Sequence, residues 1–357
     1  MRPTRRPADV ASAKDRQRSG NPAVRGGVQP PRDRASRPGR PAPAAPPREF
    51  VPGLLPADGA PYPLALRNAE TVWWRSALGA LFGLSLYLLL VILVSQLVVY
   101  LGWIVTHPVD YATYSAQAIA YQRPIGLLAS NVGIATLIPI SLALVLVIHH
   151  ARTHWLFSVQ PGIRWRYLLV CLGVSAVVFV GIQAVMEQLA SSGRVAPQPG
   201  FVLFAAVVLI SSPIQAAAEE IFFRGYLMQA LGSANSRPWF GVVASALVFA
   251  LMHGTQNLAL FVNRLAFGLL AGLLVWLVGG LEAGIAAHVL NNIVAFGWAG
   301  LTTSIATLRA VQSLTWAQSG LQILAFVVCA ALTLLVARLM KLRTRVDLSA
   351  PGVTSRA

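Results

Sequence analysis

Two adjacent carboxylates and a guanidinium stand inside an otherwise apolar run, Ala216-Ala217-Ala218-Glu219-Glu220-Ile221-Phe222-Phe223-Arg224. A charge at the centre of a membrane helix costs about 2.5–3.5 kcal/mol on insertion scales, so a bilayer protein keeps such groups where they face a polar interior. Glu220 and Arg224 are four residues apart and share a helix face, in the glutamate-first order that also suits the helix dipole. Glu219 is turned about 100° away from Glu220 and points elsewhere. One carboxylate is then a brace for the arginine and the other is available as a base. A purely structural ion pair accounts for Glu220 and Arg224 but gives Glu219 no reason to be there.

Two later apolar runs carry the other polar groups. Phe249 and His253 lie four apart in one, and His288 and Asn292 four apart in the next. A lone histidine in a helix is usually a satisfied core residue. Here the chain has six, of which His149, His150 and His154 fall in a loop and His107 outside a run, leaving these two within the membrane. Counting 17 residues each way from a turn at Ser236 puts Glu219 and His253 at equal depth in antiparallel neighbours. With His288 near the same level, the site would be recessed about 12 Å from one membrane face.

These groups make a complete set for activating water. An apolar pocket disfavours the charged form of a carboxylate and brings it toward the working range of a general base. Glu219 would take the proton, His253 would fix the water, and His288 with Asn292 would donate to the oxyanion formed when water attacks an amide. Glu219, His253 and His288 also form a His₂Glu set, the composition of a catalytic zinc site with an open position, although no HExxH is present. No cofactor is needed in the first reading, and zinc is the alternative. Ser211, Ser212 and Cys171 have no base at helical spacing, so a serine or cysteine nucleophile is disfavoured. Cys171 and Cys329 read as small core residues.

The elements that must position these residues are membrane helices. The 357 residues are 56% hydrophobic and 11% charged, with mean hydropathy +0.63, far from the roughly 25% charged residues of a soluble domain. Apolar runs lie near 77–105, 125–148, 167–190, 202–231, 238–254, 258–279, 281–302 and 319–341, which predicts an all-α bundle of about eight transmembrane helices. The fifth and sixth are short for full spans, and Pro213 is placed to kink the fourth. Residues 1–70 hold 14 of the 23 prolines at or before Pro63 and are expected to be a disordered tail; 71–345 form the membrane domain and 346–357 a short C-terminal tail. No apolar segment near the start reads as a secretory signal.

The net charge of +16 sits mostly in tails and loops on one side of such a bundle, with only Arg123, Arg194, Arg264 and Arg309 elsewhere. The positive-inside rule then places both termini in the cytoplasm and accounts for the basic balance without a nucleic-acid partner. No internal repeat supports a transporter.

Taken together, Glu219-Glu220 with Arg224, Phe249 with His253, and His288 with Asn292 resemble, in order, the EExxxR, FxxxH and HxxxN motifs of the CPBP family. These are the intramembrane CAAX-prenyl proteases and bacteriocin-processing or self-immunity proteins, also called the Abi family. The motif core spans 201–302. The resemblance implies an eight-helix endopeptidase of the cell membrane acting on a membrane-associated peptide or protein. Glu219 corresponds to its catalytic glutamate, His253 and His288 to its motif histidines, and Asn292 to an oxyanion donor, with Glu220 and Arg224 in support. The family has been described both as glutamate-dependent and as metal-dependent. A non-catalytic immunity or partner protein using the same polar cavity is the competing reading, separated by substitution of Glu219. Whether the chain works alone or as an oligomer is left open by the sequence.

Overall fold

The computed structural model describes residues 55–160, 162–190, 195–254 and 256–350. In chain order the helices are α1 (Trp73–Thr106), α2 (Tyr111–Ile119), α3 (Pro124–Ala135), α4 (Leu137–Val147), α5 (Trp165–Ala190), α6 (Phe201–Glu220), α7 (Met228–Asn235), α8 (Pro238–Leu251), α9 (Leu258–Val278), α10 (Glu282–Thr302), α11 (Ile305–Arg309) and α12 (Trp316–Leu339). A π-helical segment, Ile221–Leu227, joins α6 to α7. The protein is an all-α, multi-pass membrane bundle, as its composition demands.

All eight apolar runs are helical, but among the described residues seven rather than eight helices are long and apolar enough to cross a membrane. The exception is the fifth, α8, with 14 residues; the sixth, α9, reaches 21 and is a full span, contrary to expectation. Proline at the start of α8 fits a first turn, whose N–H groups have no helical partner anyway. Ser236, in the left-handed region at φ 62, makes the turn before it. Asn257 opens α9 by accepting the Leu260 N–H. α6 runs through Pro213 without a break in assignment.

The tail expected over 1–70 lies outside the described residues up to position 54. From 55 onward the expectation is corrected. Tyr62, Ala65 and Leu66 are fully buried, the Tyr62 hydroxyl donates to the Leu156 carbonyl, and Arg67 donates to the Ser233 carbonyl. The other boundary moves too. Val346 is buried, its N–H donates to Ala60 O at 2.9 Å, and Gly59 N–H donates to Val346 O at 2.9 Å. Three apolar side chains entering the core outweigh the local proline content, which is why composition misplaced the edge.

The segments 55–70 and 340–348 therefore pair at one end of the bundle. The 149–164 loop and the α9–α10 turn meet them there: Val159 N–H donates to Gly279 O, and Leu281 N–H to Phe157 O, each at 2.9 Å. Arg164 fastens this end. Its backbone N–H and its Nε donate to Glu282 Oε1 at 2.8 and 2.9 Å, Nη2 to Oε2 at 2.6 Å, and Nη1 to Val278 O at 2.8 Å. Glu282 opens α10, so the clamp fixes the helix that carries His288 and Asn292.

Candidate active site

The site is assembled from α6, the π-helical segment, α8, α9 and α10. A π-helix is rare and is found mostly as single turns at functional sites. Here it begins directly after the two glutamates and contains Arg224. Glu220 and Arg224 do pair, Nη1 to Oε1 at 3.0 Å, with both side chains buried to within 1%. The guanidinium also lies over two ring faces, 4.2 Å from the Phe249 centroid and 5.1 Å from Phe267. This gives Phe249 its place: it carries the cation that braces Glu220.

His288 stands between the two carboxylates. Its Nδ1 is 2.9 Å from Glu220 Oε1 and its Nε2 is 3.4 Å from Glu219 Oε2. Glu219 and Glu220 differ in access, since 11% of the Glu219 side chain is exposed and none of Glu220.

This arrangement corrects one expectation. His288 was assigned to the oxyanion, but both its ring nitrogens are occupied by carboxylates, which leaves it no N–H for a reacting oxygen. Asn292 keeps that capacity. Its Nδ2 donates to Gln215 Oε1 at 3.0 Å, and an amide nitrogen has a second N–H.

His253 is at the C-terminal edge of α8 and exposed. Its Nδ1 is 2.7 Å from Phe249 O. A carbonyl only accepts, so Nδ1 bears the hydrogen and Nε2 of the neutral ring carries the lone pair. His253 forms no ion pair with Glu219; the Phe249 ring lies between it and His288, with centroids 4.6 Å from His253 and 6.3 Å from His288. Accordingly the zinc set Glu219, His253 and His288 does not converge. Among the described residues no three His, Cys, Asp or Glu side chains are grouped to hold an ion.

Three participants escaped the sequence reading. Gln215 is one turn before Glu219 on the same face, a spacing that was there to be read. Phe267 packs on His288 at 5.0 Å between centroids, and nothing in an apolar run distinguishes it from its neighbours. Gly284, one turn before His288, leaves room for Glu220: a Cβ there would meet Glu220 Oε2 at 3.0 Å.

Comparison with known proteins bears on this same segment. Residues 199–294 match the family model described as type II CAAX prenyl endopeptidase Rce1-like. The chain is 33% identical over 99 residues to "Uncharacterized protein YyaK" of Bacillus subtilis (strain 168), covering 26% of this chain and 33% of that one. It thus spans about a third of the length of the curated relative it matches. No solved structure matches the chain. All three motifs fall inside residues 199–294, over which the chain is similar to the Rce1-like family model.

Proposed function

We propose that this protein is an intramembrane endopeptidase that hydrolyses a peptide bond in a membrane-associated protein or peptide, of the CAAX or peptide-processing kind. The observation that carries the reading is the unequal pair of glutamates: Glu220 is fully buried against Arg224, while Glu219 keeps 11% of its side chain accessible.

Glu219 accepts a proton from water whose oxygen bonds to the peptide carbonyl carbon. The carbonyl electron pair moves to its oxygen, where the free Asn292 N–H donates. His253 accepts a hydrogen bond from the water through Nε2. Collapse of the intermediate breaks the C–N bond, and the proton held at Glu219 passes to the leaving nitrogen. His288 Nε2, 3.4 Å from Glu219 Oε2, holds that carboxylate in place.

The test is cleavage of a quenched peptide library by the purified full-length chain in detergent. Wild type is expected to cleave, Glu219→Gln to lose cleavage while remaining folded, and chelator to leave the rate unchanged. Retained cleavage by Glu219→Gln would remove the enzyme reading and leave a membrane partner protein; chelator-sensitive cleavage would remove the glutamate-only chemistry.

For orientation, pairing of 55–70 with 340–348 supports both flanking segments lying on one side. The basic residues collected there favour the cytoplasm. Reporter fusions before Leu55 and after Ala357 should both read cytoplasmic.

A further inference from the structure

A second polar feature lies away from the site, at the N-terminal end of α1. This 34-residue helix has no side-chain cap: Val72 precedes it, and no hydroxyl or carboxylate accepts from its first N–H groups. Its first turn therefore presents unpaired donors at the positive end of the helix dipole. A small crevice opens beside it, with apolar Val72 and Ile148 in its wall next to Asn68, Glu70, Thr71, Arg75, Ser76 and His149. Ser76 is 1% exposed and His149 7%, and Ser76 Oγ and His149 Nε2 are both buried without a hydrogen-bond partner. Two orphaned polar groups at one crevice are costly unless a ligand satisfies them. Asn68 and Thr71 meanwhile satisfy each other, Thr71 Oγ1 donating to Asn68 Oδ1 at 3.2 Å.

Depth says what arrives there. Trp73 and Trp74 are 68% and 48% exposed, as tryptophans are at the headgroup level of a bilayer. Arg75 stacks beside Trp74, 5.8 Å from the ring centroid, and its charge acts on His149, which burial first and Arg75 next hold down at about 4. The imidazole is thus neutral, and the crevice carries the arginine cation, hydroxyl and helix N–H donors. Glu70, also in the lining, carries the opposing charge.

We propose that this crevice binds a phosphate group, presented at that depth by a phospholipid headgroup of the same leaflet. Arg75 and the α1 N–H groups supply the charge-assisted donors, and Ser76 completes the set.

The experiment is native mass spectrometry of the full chain from micelles containing phosphatidylglycerol, diacylglycerol or inorganic phosphate. Phosphatidylglycerol should be retained and diacylglycerol lost. Arg75→Gln should weaken retention about tenfold and Ser76→Ala about threefold. Arg152→Gln, an exposed cation at the same end, should change nothing, and Glu70→Gln should tighten retention. Unchanged thermal unfolding in lipid-free detergent would show the variants folded. Inorganic phosphate competing with the lipid would support the phosphate site and name a soluble source for it. Equal retention of diacylglycerol, equal loss in Arg152→Gln, or weakening by Glu70→Gln would overturn the assignment.

Discussion

Among the described residues two arginine–carboxylate pairs lie within the bundle, and they are built differently. In Arg164–Glu282 both carboxylate oxygens accept from the arginine, whose remaining nitrogen reaches the Val278 carbonyl. In Glu220–Arg224 a single hydrogen bond joins the partners, while Glu220 Oε2 and Arg224 Nη2 are buried with none. A fully satisfied pair holds elements together. A half-satisfied one leaves its field directed at neighbours, here His288 and through it Glu219. The fold tolerates that cost at the place where chemistry is proposed and not at the end that only has to stay closed.

Substitutions should separate the two pairs. The largest effect is expected from Glu219→Gln, a loss of about 10²–10⁴ in cleavage rate with the melting temperature nearly unchanged, since the amide leaves the cluster neutral. Arg164→Ala should do the reverse. It strands Glu282 and costs about 3–5 kcal/mol in stability, read by unfolding in detergent, while the molecules still folded cleave normally. If Arg164→Ala instead spared stability and abolished turnover, the contrast would fail.

Asn292→Ala should lower kcat by about 10²–10³ with little change in KM, because its donor is used in the transition state. Gly284→Ala would press a methyl against Glu220 Oε2 and cost about 1–3 kcal/mol, with cleavage falling as the brace shifts. A pH dependence is expected at the end of α4. His149 is buried and held at about 4 against an ordinary 6.5. The unfolded chain then binds more protons between those values, so stability is full above pH 6.5 and is lost as pH falls toward 4. His149→Gln should flatten that part of the melting curve.

Much of this was legible in the chain. Eight apolar runs appear as helices because a backbone in hydrocarbon must satisfy its own hydrogen bonds, and length and hydropathy alone reveal where it does so. The Glu220–Arg224 face followed from four-residue spacing, and the turn at Ser236 from where the run broke. The edge at 70 was misread because Tyr62 and Leu66 are isolated apolar residues among prolines. Nothing local announces that a core will take them in.

What the sequence determined by itself is the kind of protein and the residues worth watching, since hydropathy and helical spacing are properties of neighbours along the chain. What only the tertiary structure decided is how α6 and α10 face each other. That placed one imidazole across two carboxylates, removed His288 from the oxyanion, left His253 beyond Phe249, and sealed Glu220 while leaving Glu219 within reach. Each depends on distances of about 3 Å between residues some 70 positions apart, and side-chain packing, not spacing in the chain, sets those distances.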